Sequence, residues 1–357
     1  MILHGVTSVL PGCDVPGAVL TNARLADLVD EVRADLRRRG IDDPRPACAA
    51  EFPAERIGIE QRRVLDATSS VRDLAVTAAQ RAVDAAGVDG ARIRCVLVTT
   101  ATPDQLVPAL ATTVHEELGL ATDATAVDVT MGCSGFVAAL DLADRFLATC
   151  PRGSLALVLA AEAMTRVMDA GDRNTCVVFG DGAGAALVEP DPARGRAVTM
   201  RTWGSCGPRI VIGAPAPSDE LPAYRFVARA GRVEVRSDRS CQKRVVMDGR
   251  AVFRDMVRLV PETLATVLGD RLNDMDAFAL HQANARLLES VADAPALQLD
   301  PERFLLNIAT VGNTSSASIP ILLAQARAAG RLAPGSRVAL CGFGSGYSIG
   351  VAEVEVA

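Results

Sequence analysis

Three polar residues of this chain sit where a fold could make reactive groups of them. The first is Cys133, in the stretch "VDVTMGCSGFVAALDLADRFL" at 127–147. A β-branched run stops at Met131 and Gly132, the cysteine follows, and an amphipathic helix begins at once. At such a seam the first helical amides have no partner, and the helix dipole favours an anion. A thiol placed there is expected to ionise near neutral pH and act as a nucleophile. Gly132 and Gly135 are expected to leave room for a substrate beside the sulfur. Most free cysteines are inert packing residues, and the other eight of the nine cysteines are read that way. For Cys133 the context reverses that reading.

His281 is one of three histidines and ends the apolar run "FALHQANARLLES". A lone histidine on an apolar strand is ordinarily a satisfied core group, but Gln282 and Asn284 make this strand end polar, which favours a site. Asn313 lies in "VGNTSSAS", a turn of small residues ahead of a helix with Pro320 in its first turn. Taken alone it reads as an Asx-turn or helix cap. Papain-like peptidases also run Cys, His, Asn in order, but theirs is a cysteine near the mature N-terminus in a different local setting. Here the thiol follows 132 residues and stands in "GCSGF".

The elements that must position these groups alternate between strand and helix, which implies α/β layers. In the first half, helix "SSVRDLAVTAAQRAVDAAG" (69–87) leads to strand 93–102, helix "LATTVHEELG", strand "ATAVDVT", the cysteine helix, and strands 154–163 and 175–190. Phe136, Leu140, Ala143 and Leu147 form a stripe that should bury the cysteine helix centrally. The second half repeats the order. A helix at 249–270 leads to the strand "MDAFALHQA", helix "NARLLESVAD", a buried helix after Asn313, and two closing strands around "GFGSG". The repeat divides the chain into 1–190, carrying the cysteine, and 191–357, carrying the histidine and asparagine. Polar groups of α/β sheets gather at strand carboxyl ends, so the three could converge.

Composition narrows the function. The chain has 357 residues, 49% hydrophobic and 22% charged, with net charge −6. It has no basic run, so nucleic acid is not an expected partner. No apolar stretch reaches the length of a membrane span. The N-terminal "MILHGVTSVLPGCDVPG" does not read as a signal peptide. Nine cysteines without paired short spacings suggest reduced thiols in a cytoplasm, and without a CxxC motif no structural metal is expected.

At these residues the chain resembles the thiolase-fold condensing enzymes, specifically the β-ketoacyl-acyl-carrier-protein synthase III family. The matching motifs are "CSGF" (133–136), "FGDGAGAAL" (179–187), "HQAN" (281–284), "GNTSSASIP" (312–320) and "GFGSG" (342–346), in family order over nearly the whole chain. The resemblance implies two βαβαβαββ halves in a five-layer α-β-α-β-α arrangement, and a homodimer. It also implies a decarboxylative Claisen condensation between a Cys133-bound acyl group and a malonyl thioester, in fatty-acid initiation or specialised polyketide starter assembly. Cys133 is then the nucleophile, while His281 and Asn313 hold the second substrate. The backbone N–H groups of Cys133 and Ser345 would form the oxyanion site, and Phe343 would pack near the histidine. No resident cofactor is expected. Coenzyme A thioesters are the expected substrates, with an acyl carrier protein as a further partner.

The same resemblance assigns the coenzyme A site to Phe52, where the family usually has tryptophan, with Arg56 and Arg166. It assigns carrier docking to Arg286, although the lysines that usually surround it are missing. Val107, before Pro108, stands where the family commonly has phenylalanine at the dimer-side end of the acyl pocket, which implies acyl groups longer or more branched than acetyl. Extra residues around 34–50 and 215–245 depart from compact members. Two further readings compete. One is an acyltransferase passing the acyl group to an alcohol or amine without decarboxylation, whose relatives tend to carry an acid in place of the asparagine. The other is a silent partner subunit, which usually lacks the cysteine.

Overall fold

The computed structural model describes residues 1–191, 197–214, 222–238 and 244–357. Its centre is the stripe of apolar residues that follows Cys133. Helix α5 of the numbering below (Gly135–Leu147) buries Phe136, Leu140, Ala143 and Leu147, at 0–4% exposure, because both of its long faces meet a sheet.

The first half contains β1 (Ile2–Val9), β2 (Gly17–Thr21), α1 (Asn22–Arg38), α2 (Phe52–Ile57), β3 (Gln61–Leu65) and α3 (Val71–Ala86). It continues with β4 (Ile93–Thr99), α4 (Leu110–Glu117), β5 (Thr125–Val129), α5, β6 (Leu155–Ala163) and β7 (Asp181–Glu189). The second half opens on β8 (Val198–Thr202), followed by β9 (Ile210–Ala214), β10 (Ala223–Arg229), β11 (Arg232–Asp238) and β12 (Arg244–Met247). Then come α6 (Gly249–Leu268), β13 (Ala277–Leu280), α7 (Ala285–Ala292), α8 (Ile308–Val311), α9 (Ser318–Ala328), β14 (Ser336–Phe343) and β15 (Ser348–Val356).

The strand order is β5-β4-β6-β7-β1 in one half and β13-β14-β15-β8 in the other. A parallel bridge from Phe304 to Phe278 stands where β5 pairs with β4, so the two orders correspond strand for strand. In both, the first strand of the half pairs antiparallel with the last. The halves join edge to edge where β1 runs parallel to β15, Ile2 beside Glu355 and Leu3 beside Val356. Helices α3 and α4 cover one outer face, α5 and α9 fill the space between the sheets, and α6 with α7 covers the other outer face. This is the five-layer thiolase arrangement. Interior strands such as β4 and β6 read as continuous apolar runs because both faces are buried.

Local chemistry sets the element ends. Helix α3 starts on a capping box, in which the Ser70 hydroxyl accepts from Asp73 N–H and the Asp73 carboxylate from Ser70 N–H, and stops at Gly87 with φ +60°. The expected strand over 175–190 forms only from Asp181. Residues 175–180 are buried turns instead, because their backbone groups bond to Asp172 and, across the molecule, to Asn313. Buried Arg62 secures that segment, donating to the carbonyls of Leu20 and Val177 and to Asn22 Oδ1. Of the two extra stretches, residues 34–38 complete α1, and 215–245 supplies β10, β11 and the start of β12. Its residues 215–221 and 239–243, like 192–196 between the halves, lie outside the described residues. No helix among the described residues is long and apolar enough to cross a membrane.

Candidate active site

Cys133 lies in a single turn of 3-10 helix, Gly132–Ser134, immediately ahead of α5. An identical turn, Ser315–Ala317, precedes α9, and the two turns pack against each other between the sheets. The sulfur is half-buried. Its own backbone N–H and that of Ser345 face it, and the Ser315 hydroxyl is 3.8 Å away. These donors do not produce the ionised thiol expected from the helix start. Burial pushes the thiol pKa up to about 11, against the smaller opposing effects of Ser315, Ser345 and the Cys133 N–H. Desolvation is the largest influence on this thiol and exceeds the hydrogen bonds that favour its ionised form.

The glycines around the sulfur also differ from expectation. A Cβ on Gly132 would stand 2.6 Å from the Ser345 Cβ, and one on Gly135 would stand 2.7 Å from Thr99 Oγ1. They allow protein segments to meet and leave no substrate space. The glycine that clears the sulfur is Gly344, at φ +143°, where a Cβ would fall 2.9 Å from Cys133 Cβ and 3.2 Å from Sγ.

His281 follows β13 and is fully buried, its N–H on the Cys341 carbonyl at 2.8 Å. Nδ1 lies 2.7 Å from Ser318 Oγ, which accepts from Gln282 N–H at 3.4 Å. A Ser318 hydroxyl that donates to Nδ1 while accepting from Gln282 N–H leaves the imidazole proton on Nε2. Burial lowers the ring pKa to about 3, opposed only by the Ser315 backbone, so the ring is neutral at physiological pH. Phe343 packs edge-on against it, centroids 5.3 Å apart.

Asn313 is held by both halves. Its N–H donates to Val178 O and its carbonyl accepts from Gly180 N–H, both at 3.0 Å. Oδ1 accepts from Ser315 N–H at 2.8 Å, which is an Asx-turn, as a local reading of the sequence expects. That bond fixes the amide orientation. The carboxamide therefore presents Nδ2, which donates weakly to Ala283 O at 3.5 Å and has a second proton to give.

Cys133, His281 and Asn313 all open onto one cavity of about 420 Å³. Phe343 and Gly344 form its inner wall, and Phe179, Ile210, Met247 and Phe253 make most of its lining apolar. Phe52, Arg173 and Arg250 also line it, with the Arg173 guanidinium 4.7 Å over the Phe52 ring. Ser345 turns its hydroxyl to Ile210 O at 3.3 Å.

Of the other residues singled out from the sequence, Asn284 lines the cavity and the rest are not brought to it. Arg166 donates to the carbonyls of Ser69 and Asp66 and to Asp104, which itself caps α3 through the Val71 and Arg72 N–H groups. Its donors are committed to that loop. Arg56 is exposed on α2, outside the lining. Arg286 is exposed on α7 and engaged with Glu289 at 3.0 Å and with Glu55 O at 3.4 Å. Val107 is 84% exposed, on the surface beside Leu106. Gln282 and Asn284, read as site polarity, do structural work: Gln282 bridges Leu280, Leu305 and Asn307, and Asn284 caps α7.

Sequence reasoning missed Glu162, Ser315, Ser316 and Ser318, all buried within this constellation. Glu162 did carry a signal, being an acid inside the apolar strand "SLALVLAAEA". Arg173 and Arg250 gave none, since each stands in an ordinary polar stretch. Among the described residues no group of three or more His, Cys, Asp or Glu is arranged to hold a metal.

The family model described as 3-oxoacyl-[acyl-carrier-protein (ACP)] synthase III matches residues 127–207, and that of its C-terminal part matches residues 268–356. A β-ketoacyl-[acyl-carrier-protein] synthase III of Gloeobacter violaceus is 38% identical over 344 residues, covering 95% of each chain. The crystal structure of 3-oxoacyl-(acyl carrier protein) synthase III from Pseudomonas aeruginosa aligns at 30% identity and TM-score 0.76, covering 99% of this chain and 98% of that one. The priming β-ketosynthase of a polyketide biosynthetic pathway aligns at 28% identity and TM-score 0.80, covering 99% and 96%.

Proposed function

We infer how this cavity works from one premise: the chain belongs to the β-ketoacyl-[acyl-carrier-protein] synthase III family. Its reaction is a decarboxylative Claisen condensation of an acyl thioester with a malonyl thioester, in fatty-acid initiation or polyketide starter assembly. In this reading Cys133 forms a bond to the acyl carbonyl carbon as the donor thiolate leaves, producing an acyl-enzyme thioester. The N–H groups of Cys133 and Ser345 stabilise the oxyanion of that transfer. A malonyl thioester then places its carbonyl oxygen between His281 Nε2 and Asn313 Nδ2. Carbon dioxide leaves, the two donors hold the enolate oxygen, and the carbanion attacks the acyl carbon. The new carbon–carbon bond releases the Cys133 thiolate and a β-ketoacyl thioester. No resident cofactor takes part.

What supports these roles most is the orientation of Asn313. Its Oδ1 is occupied by Ser315 N–H, so the carboxamide offers a donor and no base toward the cavity. An acyl transfer to a hydroxyl would need a base there.

Phe52, Arg173 and Arg250 offer an aromatic face and two cations for a coenzyme A thioester. Arg173 and Arg250 take the place earlier given to Arg56 and Arg166. Exposed Leu106 and Val107 support a homodimer that covers them, with Val107 ending an acyl pocket roomier than one closed by phenylalanine. Arg286, beside the cavity lining, remains the candidate contact for an acidic carrier protein, and the cytoplasm is the proposed location. Incubation with acyl-coenzyme A followed by intact-mass analysis should add one acyl group at Cys133. Subsequent malonyl thioester should release carbon dioxide with a β-keto product. Transfer to a hydroxyl without gas would overturn the assignment.

A further inference from the structure

Beside the sulfur, on the side away from the substrate cavity, lies a carboxyl group that the reaction above leaves without a role. Glu162, near the end of β6, has no solvent exposure. Its Oε2 accepts from Ala101 N–H at 3.0 Å and from the Thr102 hydroxyl at 2.8 Å. Thr102 Oγ1 in turn accepts from Ala163 N–H at 2.9 Å, so its own proton is committed to Glu162. Oε1 accepts from the Ser316 hydroxyl at 2.7 Å. Three donors converge on the group and favour its carboxylate form, the Ser316 hydroxyl standing also 3.5 Å from Thr99 O. Burial pulls the other way and raises its affinity for a proton, which makes it a stronger base than a surface glutamate.

Ser315 links this carboxylate to the sulfur. Its hydroxyl is 3.8 Å from Cys133 Sγ and also interacts with Glu162. The residue is held at φ +52°, the left-handed region that a serine adopts only at a cost, with its N–H on Asn313 Oδ1. The groups that face Glu162 are the amide and hydroxyl after β4, the Ser315 and Ser316 hydroxyls before α9, and the thiol before α5. Cys133 is the titratable one among them.

A base is needed. A thiol titrating near 11 is ionised in only about one molecule in ten thousand at pH 7. His281 is poorly suited to take its proton, because burial holds the ring neutral.

We propose that Glu162 stores the Cys133 proton during the catalytic cycle, receiving it through the Ser315 hydroxyl as the acyl group arrives and returning it when condensation frees the thiolate. In the first half-reaction the S–H bond breaks as the sulfur bonds to the acyl carbon. The thiol proton moves to Ser315 Oγ, the serine proton moves to the Glu162 carboxylate, and coenzyme A departs as a thiolate that takes a proton from water. In the second, the carbanion displaces Cys133 as a thiolate, and the same two transfers run backward. One proton is taken from solvent per turnover, matching the carboxylate lost as carbon dioxide. The proposal rests on the acyl-transfer reading of Cys133.

The test is single-turnover acylation of Cys133 by an acyl-coenzyme A, followed by intact mass from pH 6 to 10, for the wild-type chain, Glu162→Gln and Ser315→Ala. With Glu162 already ionised to receive the proton, the wild-type rate should change little from pH 6 to 10. Both variants should react about 100-fold more slowly at pH 7 and recover tenfold per pH unit as hydroxide replaces the relay. A folded variant that acylates within about threefold of wild type at pH 7, or that keeps the wild-type profile, overturns the relay and leaves the condensation reading standing. If Glu162→Gln does not fold, Ser315→Ala decides alone, since it leaves three donors on the carboxylate. A wild-type chain that accepts no acyl group removes the premise and the proposal together.

Discussion

Replacing Asn313 by aspartate changes one atom that matters. The backbone bonds to Val178 and Gly180 do not involve the side chain, and an aspartate Oδ1 can still accept from Ser315 N–H at 2.8 Å. The turn should therefore stay in place. What is lost is Nδ2, the donor pointing into the cavity, and an acceptor with negative charge replaces it beside the Ala283 carbonyl. One preorganised donor to a developing oxyanion is worth about 3 kcal/mol, or roughly a hundredfold in rate. Repulsion between the new carboxylate and the enolate oxygen adds to that, so malonyl decarboxylation should fall by about 10² to 10³ or more. Cys133 acylation, which draws on the Cys133 and Ser345 amides, should stay within about fivefold of wild type. Carbon dioxide release from a malonyl thioester and intact-mass acylation, measured on the same preparation, separate the two half-reactions. Equal losses in both, or decarboxylation above a tenth of the wild-type rate, would refute the division of roles between the halves.

Three further perturbations follow from the same geometry. Gly344→Ala places a Cβ 2.9 Å from Cys133 Cβ at a φ of +143°, so it should lower stability by about 1–3 kcal/mol and abolish acylation, read by urea melts and intact mass. Leu140→Ala empties a fully buried site on the helix between the sheets and should cost about 2–5 kcal/mol in equilibrium unfolding, with m unchanged. His281 keeps its neutral form down to about pH 3, whereas the unfolded chain protonates it near 6.5. The unfolded state thus binds more protons between those values, and stability should fall as pH drops through that window. His281→Asn should flatten that part of a thermal-melt profile, while wild-type decarboxylation should show no histidine titration from pH 5 to 8.

Periodicity is the part of this fold that a linear reading handles well. The stripe Phe136, Leu140, Ala143 and Leu147 marks α5 as central, and the amphipathic run 69–87 ending at Gly87 marks α3 within two residues at each end. The opening strands escaped that reading. Neither β1 nor the β2–β3 pair announces itself among the turns of the first 65 residues. Burial misled at 175–180, where an apolar run is a series of turns because its hydrogen-bonding partners lie at Asp172 and Asn313. Arginines were equally opaque. Arg166 and Arg173 look alike as letters, yet one is spent on the loop at 66–69 and the other lies over Phe52 at the cavity.

By itself, the sequence singled out Cys133, His281 and Asn313 and the alternation of strand and helix in each half, because motif spacing and apolar period are local properties. Tertiary structure decided the protonation of those residues. A helix start argues for a thiolate at Cys133, but two sheets closing over the sulfur withdraw water and raise its pKa, a cost no neighbour in sequence reports. The same closure brings Glu162, Ser315 and Cys133 together from three distant segments and, through a bond from Ser315 N–H to Oδ1, leaves Asn313 Nδ2 as the donor. Solvent exclusion is a property of the packed molecule, so electrostatics had to wait for the fold.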